Sequence, residues 1–309
     1  MFGNKEKLRE VSSNGVEFVE KVDEKDIDAE KDDEAIVDIN REVTPGDRHD
    51  NKSGGYRADG IDQMSEVSAF STEELDRLKL LYQGVPNRKL LNVFRDLRTK
   101  LAKKSKGKNY VCLVTSLVAG GGASYIAANL SAAIAMDRTK TSLLIDGNLY
   151  APSVERLLAV EPVNGLTDYL YREDAQVEEI VYASGIPRLR VIPVGNNREA
   201  GAEYFSTGRM RKFIDSVKSR YPDRFIIIDS PPACEYSAET HILADLSDFV
   251  VLVVPYGKVT ESQITAGLET IGEKNYGRVH RIYRFQQYGL CAGNLDTRRH
   301  IHRIHKQFP

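Results

Sequence analysis

Five short, largely apolar runs recur along the middle of the chain, and they restrict its fold more than any other feature. They are Tyr110–Ser116 (YVCLVTS), Ser142–Asp146 (SLLID), Leu189–Val194 (LRVIPV), Phe225–Asp229 (FIIID) and Phe249–Pro255 (FVVLVVP). A strand with one solvated face alternates polar and apolar residues. A run without that alternation needs cover on both faces, as in a parallel sheet packed between helices. Segments with helical spacing lie between the runs, at Ser124–Met136, Ser153–Leu158, Leu166–Leu170, Met210–Ser219 and Ser262–Gly272. The alternation predicts an α/β fold: a doubly wound, mostly parallel sheet in a three-layer sandwich. Ligands of such sheets bind outside the carboxyl ends of the strands, so the chemistry is expected there. None of the runs approaches the ~18 apolar residues of a membrane-spanning helix.

The flanks differ from this core. Residues 1–70 hold 10 Lys and Arg against 19 Asp and Glu, a net of −9. They include the breaker-rich TPGDRHDNKSGGYRADG. Such a segment buries too little apolar surface to offset its chain entropy, so an acidic tail without stable structure is expected. Residues 71–108 read as leading helices and a basic linker. Ser71 begins an N-cap signal, Leu91, Phe94, Leu97 and Leu101 form one stripe, and KKSKGK ends the segment. Residues 109–275 hold the α/β pattern. Residues 276–309 carry seven basic residues against one acidic and four of the six histidines, and read as a divergent basic tail. His300, His302 and His305 have metal-ligand spacing but no accompanying acid or cysteine, so a solvated tail is the expectation. Cys112, Cys234 and Cys291 are far apart and suit a reducing cytoplasm, and MFGNKEKLRE lacks the apolar core of a secretory signal. The net charge of −2 gives no ground to expect nucleic-acid binding.

The first run leads into TSLVAGGGASYIAANLSAAIA, a strand, a glycine loop and a helix. Gly120, Gly121 and Gly122 let several backbone N–H groups converge where the helix adds its partial positive charge. A plain tight turn would use the same glycines. Two acids sharpen the reading: Asp146 ends LLID and Asp229 ends FIIID, and acids at strand ends beside a phosphate loop hold Mg²⁺ in P-loop NTPases.

With these motifs in order, the chain resembles the bacterial tyrosine kinases of capsule and exopolysaccharide synthesis, a branch of the MinD/ParA/Mrp-like P-loop ATPases. The resemblance covers about residues 88–275. It rests on FRDLRT, the glycine loop with NLS, LLIDGNLYAPSV, GLTDYL, VIPVG, IIIDSPP and LADLSDFVVLVVPYGKVT. It implies ATP and Mg²⁺ as cofactors, with Gly120, Gly121, Gly122, Ala123 and Ser124 at the nucleotide. Ser124, Asp146 and Asp229 would lie at the metal, with the two aspartates catalytic. It further implies a membrane polysaccharide co-polymerase (chain-length regulator) as partner, allows a homo-oligomer, and implies a cytoplasmic location peripheral to the inner face of the membrane.

The departures from the family pattern bear on activity. The family loop reads roughly PGEGKS, and here it is AGGGAS, with Ala123 at the lysine position and no second lysine in the loop. In the DxDxR motif only Asp146 persists, followed by Asn148 and Tyr150. The ExxRxxR oligomerisation motif becomes Asn92, Arg95 and Arg98. A methyl group cannot replace a charged donor at a transition state. The first expectation is therefore a degenerate, pseudokinase-like protein of polysaccharide assembly. An active ATP-dependent tyrosine autokinase and a ParA/MinD-like positioning ATPase remain open beside it.

Overall fold

A computed structural model of the chain describes residues 69–158, 160–197, 201–255 and 257–272, and the backbone of 279–284 and 290–294. The segment expected to lack structure, 1–70, lies outside these residues apart from its last two, as do His300, His302 and His305.

Two helices lead in, α1 (Thr72–Arg77) and α2 (Arg88–Lys104). The expected cap is present: Glu74 N–H donates to Ser71 Oγ at 3.2 Å and Ser71 N–H to Glu74 Oε2 at 2.8 Å. The predicted stripe of α2, Leu91, Phe94, Leu97 and Leu101, is buried. Then follow β1 (Val111–Ser116), α3 (Ala123–Ala135), β2 (Thr141–Asp146), α4 (Leu166–Tyr171), β3 (Tyr182–Ala183) and β4 (Leu189–Ile192). The chain continues through α5 (Ala202–Ser206), α6 (Gly208–Arg220), β5 (Arg224–Asp229), α7 (Ser237–Asp245), β6 (Phe249–Pro255), α8 (Glu261–Ile271), β7 (Val279–Arg284) and β8 (Leu290–Asn294).

The strands form one sheet in the order β3-β4-β2-β5-β1-β6-β7-β8. The six from β4 to β7 are mutually parallel, and β3 and β8 add an antiparallel strand at each edge. Alternate residues supply two separate cores. Cys112, Val114, Leu144, Ile227 and Val251 pack with α2 and α3 on one face. Leu113, Leu143, Ile226 and Val250 pack with residues of α6, α7 and α8 on the other. Cover on both faces is the reason these runs lack polar alternation.

Three of the differences from the sequence reading have a local physical reason. Ser153–Leu158 forms only a 3₁₀ turn over Val154–Leu157, because Asp146 Oδ2 takes the N–H groups of Ser153 (2.9 Å) and Val154 (3.0 Å) and tightens the chain. Helix α7 was not expected; it buries only Glu239, Thr240, Leu243 and Ala244, too few apolar positions to form a readable stripe. The sheet continues past residue 275 into the segment read as a basic tail, where β7 pairs with β6 and β8 with β7. Ladder hydrogen bonds need only backbone, so arginines at 281 and 284 do not prevent a strand there.

One buried side chain fastens the leading segment to the core. Asn129 of α3 accepts from Leu81 N–H at 2.8 Å and donates to Lys79 C=O at 3.1 Å and Tyr125 C=O at 3.0 Å. Asn129→Ala strands these groups, at ~1–3 kcal/mol for each one left buried without a partner. Urea unfolding is expected to show a loss of about 2–4 kcal/mol with an unchanged slope.

Candidate functional site

The three central strands β2, β5 and β1 bring the sequence-predicted residues together. β2 and β5 pair with Asp146 directly opposite Asp229, and β5 and β1 pair with Asp229 opposite Val114. Because the strands are parallel, both carboxylates lie at the carboxyl edge beside the loop that follows β1.

The loop turns through Gly120 at φ +67° and Gly122 at φ +96°, backbone that favours glycine. Gly121 has no room for a side chain, since a Cβ there would lie 2.6 Å from the Cβ of Ser116. Gly122 is the N-cap of α3 and supplies no side-chain acceptor, so the N–H groups of the first turn, which includes Ala123 and Ser124, have no cap. This is a cradle suited to an anion. At the position where a lysine would reach into it, Ala123 is a buried methyl group.

Asp146 is fully buried and well solvated by the protein. Its Oδ1 accepts from Asn148 N–H at 3.0 Å and its Oδ2 from Ser153 and Val154. Burial still pushes its pKa up to about 6, against these three donors and with help from Glu155. Asp229 is also fully buried, yet neither of its oxygens completes a hydrogen bond. Burial first, and the adjacent Asp146 second, push it well above the ordinary carboxylate range. Ser124, Arg156 and the Ser230 N–H pull the other way, but the Ser124 hydroxyl does not reach hydrogen-bonding geometry. Two buried oxygens without partners beside a second carboxylate are the arrangement a hard divalent cation satisfies. Asp146, Asp229 and Ser124 therefore fit Mg²⁺, and the loop fits a phosphate, without the lysine. Among the described residues no group of three or more His, Cys, Asp and Glu forms a metal site.

The positions that depart from the family pattern have other partners here. The Asn148 side chain accepts from Ala151 N–H at 3.2 Å and holds the turn after β2. Tyr150 stacks on Tyr236, with ring centroids 3.7 Å apart, and its hydroxyl donates a short hydrogen bond to the buried Glu239. Partial burial and Glu239 raise its pKa to about 12, so it is a neutral donor where an arginine would be charged. Sequence reasoning missed two residues at this edge. Glu239 follows from no motif, and Glu235, whose Oε1 accepts from Ala119 N–H at 2.7 Å, sits on the phosphate loop itself. A proline at residue 119 would have no N–H to offer it.

No family profile matches the chain. It is 29% identical over 254 residues to EpsB of Ralstonia solanacearum, described as a candidate tyrosine-protein kinase. That match takes in 75% of this chain and 33% of EpsB, so the chain spans about a third of that relative's length. It is 30% identical over 179 residues to the tyrosine-protein kinase YwqD of Bacillus subtilis, covering 58% of this chain and 73% of YwqD. Among solved structures, the kinase domain of the Escherichia coli tyrosine kinase ETK superposes with a TM-score of 0.59 at 19% identity. It matches over 76% of this chain and 97% of that domain, a likeness of fold.

Raised carboxylate pKa values bind extra protons in the folded state. Stability contributed by the pair is therefore full below the unfolded value near 4 and is lost as pH rises through about 6 and beyond. Asp229→Asn removes one charge, so near neutral pH it is expected to stabilise the protein by about 1–3 kcal/mol and flatten this fall. Millimolar Mg²⁺ is expected to raise the melting temperature of the wild type but not of the variant.

Proposed function

As the chain belongs to the bacterial tyrosine-protein kinase family, we propose that it serves exopolysaccharide or capsule assembly as a pseudokinase-like regulatory protein. Its partner in this reading is a membrane polysaccharide co-polymerase that sets chain length, and its place is the cytoplasmic side, peripheral to the membrane. Among the described residues no helix is long and apolar enough to cross a bilayer. A homo-oligomer through α2 is compatible with the exposed Asn92 and Arg95, whereas Arg98 is turned inward and donates to Ala133 C=O at 2.7 Å. Nucleic acid has no part in this reading.

Ala123 carries the proposal. The loop backbone, Ser124 and the paired aspartates retain what binds a cation and a phosphate, while the cation that would meet the transferring phosphoryl group is absent. ATP with Mg²⁺ would bring the transferable phosphate. Ser124, Asp146 and Asp229 would hold the metal, and the first-turn N–H groups of α3 would orient the phosphates. The Glu235 and Glu239 carboxylates make the surrounding edge more negative and so oppose a polyanion. One observation favours an active autokinase instead: both oxygens of Asp229 are buried without hydrogen-bond partners, as a divalent cation there would require.

The test is ATP calorimetry with and without Mg²⁺, beside a tyrosine autophosphorylation assay. The wild type is expected to bind weakly and to incorporate no phosphate. Ala123→Lys restores a charge-assisted contact of ~1.5–3 kcal/mol and is expected to tighten binding about tenfold or more. Turnover should recover less, because Asn148 and Tyr150 remain. Robust phosphate transfer to tyrosine by the wild type would establish the kinase reading instead.

Glu235→Gln keeps an acceptor for Ala119 N–H but removes a charge from the loop. It is expected to raise ATP affinity about threefold to tenfold, on the order of 1 kcal/mol for a surface charge. The same calorimetry reads it.

A further inference from the structure

The amino ends of the parallel strands form the edge opposite the phosphate loop, and the segments entering β1 and β2 are basic. Lys103 and Lys104 end α2, Lys106 and Lys108 lie in the turn before β1, and Arg138 and Lys140 lie between α3 and β2. All are exposed except Lys140, which is half-buried. Three carboxylates of this edge are already engaged. Asp137 holds Lys140 at 3.3 Å and accepts from Thr139, Asp223 accepts from Thr141 Oγ1 at 3.2 Å, and Asp248 holds Lys218 at 2.7 Å. Among the described residues none pairs with Lys103, Lys104, Lys106, Lys108 or Arg138.

A shallow cleft of about 320 Å³ opens beside them, lined by Arg98, Thr99, Ala102, Lys103 and Lys140. Its lining has three cations, one hydroxyl and no carboxylate. The Arg98 guanidinium is fixed there by its bond to Ala133 C=O, so part of its donor set is already oriented.

We propose that this edge docks on an anionic phospholipid surface, with a headgroup phosphate entering the cleft among Arg98, Lys103 and Lys140. The inference rests on the peripheral-membrane reading above and supplies the surface that makes the contact. The chain as a whole carries a net charge of −2, so attraction to an anionic bilayer comes from a local basic cluster such as this one and not from overall charge. Strands of six residues span about 20 Å, roughly two Debye lengths at physiological salt, so the acidic edge around Asp146, Asp229 and Glu235 does not cancel the attraction. The same separation orients the domain, with the phosphate loop facing away from the bilayer.

Lipid is favoured over nucleic acid by what the patch contains. Five of its six cations beyond the cleft arginine are lysines on loops or a helix end, compact charges suited to a diffuse headgroup layer. Single-stranded nucleic acid calls for aromatic platforms. Of the tyrosines at this edge, Tyr110 is buried and Tyr221 already has Arg224 over its ring at 3.9 Å and Arg220 at 5.8 Å.

The test is flotation of the full chain with phosphatidylcholine vesicles and with vesicles containing one third phosphatidylglycerol. Binding is expected only to the second, and is expected to weaken at high salt. Replacing Lys103, Lys104, Lys106 and Lys108 together by Gln should reduce it more than tenfold, since each lysine near an anionic surface is worth about fivefold. A control variant with Arg211 and Lys212 of α6 replaced by Gln should bind as the wild type does. Circular dichroism melting checks that each variant is folded. Equal binding by the quadruple variant, no binding of wild type to phosphatidylglycerol, or displacement by short duplex or single-stranded DNA at lower concentration than by lipid would each overturn the inference. If vesicle binding fails while the chain still sediments with membranes that hold a co-polymerase, the partner reading stands and this one falls.

Discussion

Asp146 and Asp229 stand directly opposite each other at the ends of β2 and β5, both without solvent contact. Two carboxylates held this close in a low-dielectric interior repel each other, and each loses its hydration. The protein compensates one of them. The turn after β2 folds back so that Asn148, Ser153 and Val154 donate to Asp146. Asp229 receives no such cage. Much of the local architecture follows from this asymmetry: the short 3₁₀ turn in place of a full helix and the buried Asn148.

The charge around that pair explains what the edge can hold. A phosphate loop with a lysine offers an anion a full positive charge together with backbone N–H groups. Here Ala123 leaves the N–H groups alone, and Glu235 sits on the N–H of Ala119. Tyr150 meets Glu239 as a neutral donor, so no cation offsets that carboxylate through their contact. The carboxyl edge accordingly carries carboxylates with no lysine in the loop beside them. The amino edge has the opposite sign where the chain enters β1 and β2, with lysines and an arginine gathered there.

Several elements of this arrangement could be read directly from residues. The five apolar runs are buried on both faces, as their lack of alternation requires. The capping box at Ser71 and Glu74, the α2 stripe and the placement of Gly120–Ser124 at the start of α3 are local properties of short segments. Other features join residues far apart in the chain. Asn129 gives no hint in sequence that it holds Leu81, forty-eight positions earlier. Arg98, at an oligomerisation position of the family pattern, instead reaches Ala133 within its own chain. Strand β7 was obscured because arginines break its apolar pattern, while the backbone bonds that define it carry no side-chain signature.

The sequence by itself determined the fold class, the strand ends that carry Asp146 and Asp229, the glycine loop between β1 and α3, and the absence of the loop lysine. All of these depend on residue identity and short spacing, which propensity and burial read locally. Only the tertiary structure decided that the two aspartates stand in register with one of them unpartnered, and that Glu235 grips the loop. It also decided that Tyr150 spends its hydroxyl on Glu239, and that Lys103, Lys104, Lys106 and Lys108 gather on one edge. Register between strands is set by the packing of whole layers, and electrostatic balance by which distant charges that packing brings within a few ångströms.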